Sequence, residues 1–297
     1  MVDHFPLQSA DSVATGTSAR VLTLRRLAGQ LQKLEQSSHP VSDCRRSDGR
    51  KSDGQESDSR GAISSGFEVL DRLLPEGGFL AGTLIEWVAE KGSADLLALL
   101  AARSALGEDR VLIVIDDEES LYPPAAAALG FDLKRLILVR PGKPARRDAG
   151  TERQKKPAAA SVEALWALEQ ALGSRGVAVT FCRLQKLSAR VFRRLQLSAE
   201  RGGGLGFLVR PPTARGEPSW SDVRLSVEAM SEGDSSSARR WRVEVLRCRR
   251  GAAGERFALL EYDDATNTVR PIASVSPAVS PPRPGSPMLP LQSPGWH

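Results

Sequence analysis

Long hydrophobic runs are missing from the 297-residue chain. No apolar stretch approaches the roughly 20 residues that a membrane span requires, so no spanning helix and no membrane partner are expected. Cysteine is scarce: Cys44, Cys182 and Cys248 are odd in number and have no C-x-x-C spacing, which argues against a disulfide framework or a zinc ribbon. Histidine is equally scarce, and His4, His39 and His297 all fall in the ends expected to be disordered, so neither a metal site nor a Cys–His catalytic pair is expected. The first residues show no basic stretch followed by an apolar one, the pattern of a secretory signal, and the expected compartment is the cytoplasm.

Apolar periodicity is also missing from both ends. Residues 37–60 are polar and charged and read as a disordered linker, and residues 1–19 are expected to be disordered. Residues 271–297 are rich in Pro and Ser, a composition that stays extended. Leu289, Leu291 and Trp296 stand out in that tail in the manner of a short docking motif. Between the polar segments, residues 20–36 have Leu24, Leu27, Leu31 and Leu34 at helical spacing. They predict an amphipathic helix that docks elsewhere or packs on its own domain. Residues 61–270 remain as the folded unit, and a hydrophobic content of 41% is enough for one sizeable core.

Within that unit the pattern alternates. Strands are predicted at about 82–88, 111–115, 136–139, 177–181 and 204–209, and helices at about 93–106, 122–129 and 161–173. The run V-L-I-V-I at 111–115, bounded by Asp116, Asp117, Glu118 and Glu119, reads as a buried parallel strand. The third helix is expected to turn Val162, Leu165, Trp166 and Leu172 inward. Later segments alternate apolar and polar residues at Val223, Leu225 and Val227 and at Trp241, Val243 and Val245, and Phe257 to Tyr262 is a further short strand. These predict antiparallel strands extending a doubly wound, largely parallel α/β sheet, with Trp166 and Trp241 in its core.

Net charge is +5, which favours an acidic partner surface. Arg140 to Lys156 is a basic loop, and Arg183 to Arg201 has helical period. Leu184, Leu187, Val191 and Leu195 lie on one face of that second stretch, and Arg183, Lys186, Arg190, Arg193, Arg194 and Arg201 surround the other. Such a face is either solvated or tracks phosphates.

The stretch Ile63 to Glu90 (I-S-S-G-F-E-V-L-D-R-L-L-P-E-G-G-F-L-A-G-T-L-I-E-W-V-A-E) resembles the opening of a RecA-type ATPase. A phosphate loop should follow as G-x-x-x-x-G-K-[ST]. Its glycines let backbone N–H groups face the phosphates, its Lys neutralises them and its hydroxyl holds Mg²⁺. Here Ala89 and Ala94 stand at the two glycines, Asp95 at the lysine and Leu96 at the hydroxyl, while Lys91 and Ser93 precede the helix start. A carboxylate at the lysine position repels a phosphate, so neither nucleotide cofactor nor catalysis is expected. Glu118, in an I-D-D-E context after a strand, falls where RecA proteins carry the glutamate that activates water, and it reads as a remnant. The strand V-A-V-T-F-C-R likewise ends in Cys182 and Arg183, where the resemblance calls for a metal-binding Asp.

Further blocks, among them Y-P-P at 122–124, L-I-L-V-R-P at 136–141, E-A-L-W-A-L-E at 163–169, R-R-L-Q-L-S-A-E-R at 193–201, G-F-L-V-R-P at 206–211 and W-R-V-E-V-L-R-C-R at 241–249, make the chain similar to the ImuA family of RecA-like proteins. That resemblance implies a RecA-like core without a working phosphate loop. It also implies an accessory role in SOS mutagenesis and translesion synthesis, beside an ImuB-like polymerase homologue and an error-prone replicative-type DNA polymerase, with RecA and single-stranded DNA as further candidate partners. RecA proteins face DNA with the loops after two of these strands. The corresponding segments here, Arg183 to Arg190 and Arg210 to Arg215, are basic, and Trp220 either stacks on a base or packs beside a strand. The alternatives are a divergent DNA-dependent ATPase using Lys91, Ser93 and Glu118, and an inhibitor of cell division resembling SulA.

Overall fold

A computed structural model of the chain describes residues 26–34, 36, 61–90, 92–141, 161–230, 239–251 and 257–272. The proposed linker 37–60, most of the basic loop before Lys156, the loop 231–238 and the tail from residue 273 lie outside the described residues, as do Lys91 and the start of the 20–36 helix.

Nine strands form one sheet in the order β11-β10-β9-β8-β3-β7-β6-β4-β5. Six of them run parallel: β3 (Leu84–Ala89), β4 (Val111–Ile115), β5 (Leu136–Val139), β6 (Val177–Arg183), β7 (Leu205–Arg210) and β8 (Val223–Ala229). Beyond β8 the chain turns back on itself through β9 (Arg239–Cys248), β10 (Phe257–Asp263) and β11 (Thr268–Pro271), all antiparallel. A separate antiparallel pair, β1 (Ala62–Ile63) and β2 (Phe79–Leu80), precedes β3. The expected architecture, a largely parallel doubly wound sheet with an antiparallel extension, is the one observed.

Burial explains why the middle strands are parallel. Every residue of β3, β4 and β7 is buried, as strands covered on both faces must be. One face carries α2 (Glu68–Leu73), α3 (Asp95–Ala105) and α4 (Pro123–Ala128) over an apolar cluster. At its centre Phe79, Trp87 and Phe207 meet edge to face, with centroids 5.6 to 6.3 Å apart. The opposite face carries α5 (Val162–Gly173) and α6 (Ala189–Gly202) over a second cluster. These two helices approach so closely at their ends that a Cβ on Gly202 would lie 2.1 Å from the Leu172 carbonyl oxygen, which only glycine permits there.

Helix α1, residues 26–34, packs on this second cluster through Leu27 and Leu31, which are buried, and its Leu34 lies against Gly176. Of the two uses open to it, the helix packs on its own domain. Two expectations are corrected. Val162 is 80% exposed; α5 buries Leu172 as expected, but its other inward residues are Ala164, Ala167, Leu168 and Ala171, with Leu165 and Trp166 only partly buried. The basic helix begins later than its periodicity suggested, because β6 runs on to Arg183 and Ser188 caps α6 by accepting from Val191 N–H. Arg183 and Lys186 are therefore not on that helix. Trp241 is buried, as expected for the core.

Truncation of buried leucines costs about 2–5 kcal/mol each. Leu27→Ala and Leu31→Ala should therefore lower the urea midpoint of the full chain with little change in slope; an unchanged midpoint would mean that α1 is not docked in solution.

Candidate functional site

In an open α/β sheet, ligands bind beyond the carboxyl ends of the strands. Here that edge is formed by the ends of β3, β4 and β6 and by the N-terminus of α3. After Ala89 the chain turns through Gly92, at φ +86°, and Ser93, whose N–H donates to the Glu90 carbonyl at 3.0 Å. Ala94, buried, is the residue before the helix and offers no side-chain cap. Asp95 is the first helical residue, in the turn where unpaired N–H groups and the helix dipole favour negative charge.

The Asp95 carboxylate does not face an empty crevice. Arg183, at the end of β6, donates from Nε to Asp95 Oδ1 at 2.6 Å, and its NH1 donates to the Ser120 hydroxyl. Its guanidinium also lies 5.9 Å from the centre of the Phe181 ring. Both charges are largely out of solvent, with 21% of the Arg183 side chain and 12% of the Asp95 side chain exposed. Arg183 thus bridges α3 to the turn after β4. A basic side chain expected to face DNA is held inside the crevice instead.

That turn is itself built on carboxylates. Asp116, buried, accepts from Ser120 N–H at 2.8 Å, Leu121 N–H at 3.1 Å and Arg140 Nε at 3.1 Å. Burial alone would raise its pKa, but these donors together hold it below the ordinary aspartate value. Asp117 accepts from the Ser161 N–H and hydroxyl and so fixes the start of α5, where Ser161 is the N-cap. Glu118 is exposed and accepts from Gln185 Nε2 at 3.5 Å. Beside it, burial pushes the Cys182 thiol up, far from thiolate chemistry.

A second polar cluster lies beneath the loop between β7 and β8. Glu86, in the middle of β3 and fully buried, accepts from Arg210 NH1 at 2.8 Å, Arg224 Nε at 2.7 Å and the Ser219 hydroxyl at 2.7 Å. Arg224 stands directly opposite it in the parallel register. Arg210 reaches Glu217 at 2.6 Å and the Gln185 carbonyl at 3.2 Å, and Arg224 donates to the carbonyls of Arg215 and Glu217. Burial would raise the Glu86 pKa, but Arg224, Ser219 and Arg210 hold it below the ordinary glutamate value. The sequence reading missed Glu86 and Arg224. Their signal is a lone acid inside L-I-E-W-V-A and a lone base inside V-R-L-S-V, charges that a buried strand admits only as partners.

Arg210 is therefore a core residue, its side chain fully buried, and the expectation that it contacts DNA is corrected. Lys186, Arg190, Arg194, Arg201, Arg215 and Trp220 are exposed and Arg193 is half-buried. Arg194 pairs with Glu169, Arg215 with Glu228 and Glu244, and Arg193 lies 5.4 Å from the centre of the Trp220 ring. Trp220, 39% exposed, stands against α6 between two serines that both reach Glu86. Among the described residues no helix is long and apolar enough to cross a membrane.

Removing one partner of a buried charge pair costs about 3–5 kcal/mol. Glu86→Gln should destabilise the chain on that scale in urea unfolding. The pH dependence follows from linkage. The folded-state pKa lies below the unfolded one, so the unfolded chain binds the proton first. Glu86 thus contributes stability above the ordinary glutamate range, about pH 4, and loses it as pH falls through the lower folded-state value. Wild type should lose stability over that window more steeply than Glu86→Gln; parallel pH profiles would rule the network out as the cause.

The chain matches no protein-family profile. Over 235 residues it is 27% identical to Protein ImuA of Caulobacter vibrioides (strain NA1000 / CB15N), covering 72% of this chain and 88% of that protein. The match to Protein ImuA of Caulobacter vibrioides strain ATCC 19089 / CIP 103742 / CB 15 is the same. Over 80 residues it is 38% identical to Protein RecA of Streptococcus pyogenes serotype M49 (strain NZ131), covering 27% of this chain and 21% of that protein. The resemblance to ImuA carried by the sequence blocks thus extends over most of a whole relative, on the RecA-like core that the chain adopts.

Proposed function

We propose that the chain is a non-catalytic, RecA-like accessory protein of SOS mutagenesis, acting in translesion synthesis by holding a polymerase-like partner rather than by turning over a nucleotide. The similarity to ImuA supports the accessory role. The observation that carries the non-catalytic reading is the Asp95–Arg183 ion pair at the N-terminus of α3. A phosphate there needs free N–H groups and a nearby cation. The cation is present but committed to an internal carboxylate, and that carboxylate stands where the phosphate loop of an ATPase carries its lysine.

Glu118 fits the same reading. It sits at the expected end of β4, exposed and hydrogen-bonded to Gln185. The reading assigns the protein no cofactor and places it in the cytoplasm. An ImuB-like polymerase homologue, an error-prone replicative-type polymerase and RecA are its partners in this scheme. The exposed members of the basic set, Lys186, Arg190, Arg193, Arg194, Arg201 and Arg215 with Trp220, are its candidate contacts with a partner or with single-stranded DNA.

Calorimetric titration of the full chain with Mg-ATP should give no saturable heat at millimolar nucleotide. A micromolar affinity abolished by Glu118→Gln would sink the non-catalytic reading in favour of a divergent ATPase. Affinity capture of the tagged chain from its own DNA-damaged cells should recover a polymerase-like partner. Recovery of cell-division proteins in its place would favour an inhibitor of division.

A further inference from the structure

Many exposed arginines among the described residues are already paired. Arg194, Arg215, Arg239, Arg240, Arg242 and Arg270 all lie within 4.0 Å of a carboxylate. The ridge of α6 departs from this pattern. Among the described residues, Arg190, Arg193 and Arg201 on this helix have no carboxylate within ion-pair distance, although Arg190 and Arg201 are exposed. Arg190 and Arg201 share one helix face about 16 Å apart, at 1.5 Å per residue. Between them Leu197 is 42% exposed, and Trp220 stands on the flank with Arg193 over its ring.

Unpaired cations around an exposed leucine and a tryptophan held in place form a surface that attracts negative charge and rewards an apolar contact. Trp and Arg are the side chains that most often dominate the energetics of protein interfaces. Two features separate a protein partner from a nucleic acid. Glu169, paired with Arg194, and Glu200 line the groove beside Leu197, so the cations there do not make the continuous row that a phosphate backbone tracks, whereas a peptide can place separate acids over Arg190 and Arg201. Leu197 offers nothing to a phosphate backbone, yet it buries against an aliphatic side chain.

We infer that the α6 ridge, from Arg190 to Arg201 with Trp220 on its flank, is a docking surface for an acidic segment of a partner protein that carries an apolar side chain. The inference rests on the accessory reading above and gives that role a location. Long-range attraction by the cations would speed encounter, and Leu197 and Trp220 would supply the contact that persists.

Three fluorescein-labelled probes titrated into the full chain test it by anisotropy. They are a helix-forming peptide of Glu with Leu at helical spacing, its counterpart with Lys for Glu, and an oligothymidylate of about 20 nucleotides. The acidic peptide should bind and the lysine peptide should not. Arg190→Glu with Arg201→Glu should weaken the acidic peptide roughly tenfold or more, and Leu197→Asp should weaken it comparably. All three positions are exposed, so thermal unfolding of the variants should match wild type. Equal affinity for wild type and variants, or an oligothymidylate that binds more tightly than the peptide, overturns the inference. A partner captured equally from damaged cells by wild type and by the charge-reversed chain overturns this surface and leaves the accessory role standing. Capture of no partner by either overturns both.

Discussion

Glu86 is placed where a carboxylate is hardest to keep, on the central strand of a sheet covered on both faces. An unpaired charge there would neutralise or unfold the strand, so two arginines from β7 and β8 have to meet it. Those arginines also need acceptors, and the loop from Pro211 to Asp222 supplies them through its carbonyls and Glu217. At this point the loop, with its 3-10 turn Pro212–Gly216, packs against β3. Its conformation is therefore a requirement of the buried charge, and the position of Trp220 follows from it, because Ser219 and Ser221 are both anchored to Glu86.

The same economy of charge operates at the carboxyl edge of the sheet. Asp95, Asp116 and Asp117 are each given donors by neighbouring chain, from Arg183, from Ser120, Leu121 and Arg140, and from Ser161. These three acids hold α3, the turn after β4 and the start of α5 in register. The crevice at this edge is spanned by bonds internal to the protein.

Much of the fold was legible because local rules and burial agree. The strand V-L-I-V-I lies where its apolar run ends in acids, and the alternation at Val223 to Val227 became a strand with one apolar face. The readings that failed did so where periodicity is ambiguous. Leu184 and Leu187 fit a helical stripe, but they belong to the connection after a strand that β7 pairs as far as Arg183. Val162 fits an inward position, yet α5 buries its alanines, whose small side chains let the helix sit close to the sheet. At the site, the place of Ala94 and Asp95 at the start of α3 could be read directly, whereas the partners of Asp95 and Glu86 could not. Arg183 and Arg210 each look like surface cations until the β6 and β7 strands deliver them to acids 88 and 124 residues away.

The buried network joins two acids, Glu86 and Glu217, to two bases, Arg210 and Arg224, and so carries no net charge. Ions in solution screen exposed charges over about 10 Å at 0.1 M and act much less on buried pairs. Ionic strength therefore divides this molecule into two parts. The inner frame that holds the β7–β8 loop stays indifferent to it, while the unpaired cations of α6 answer to it fully. Changes in the salt around the protein can tune the attraction of its outer surface without loosening the architecture that presents it.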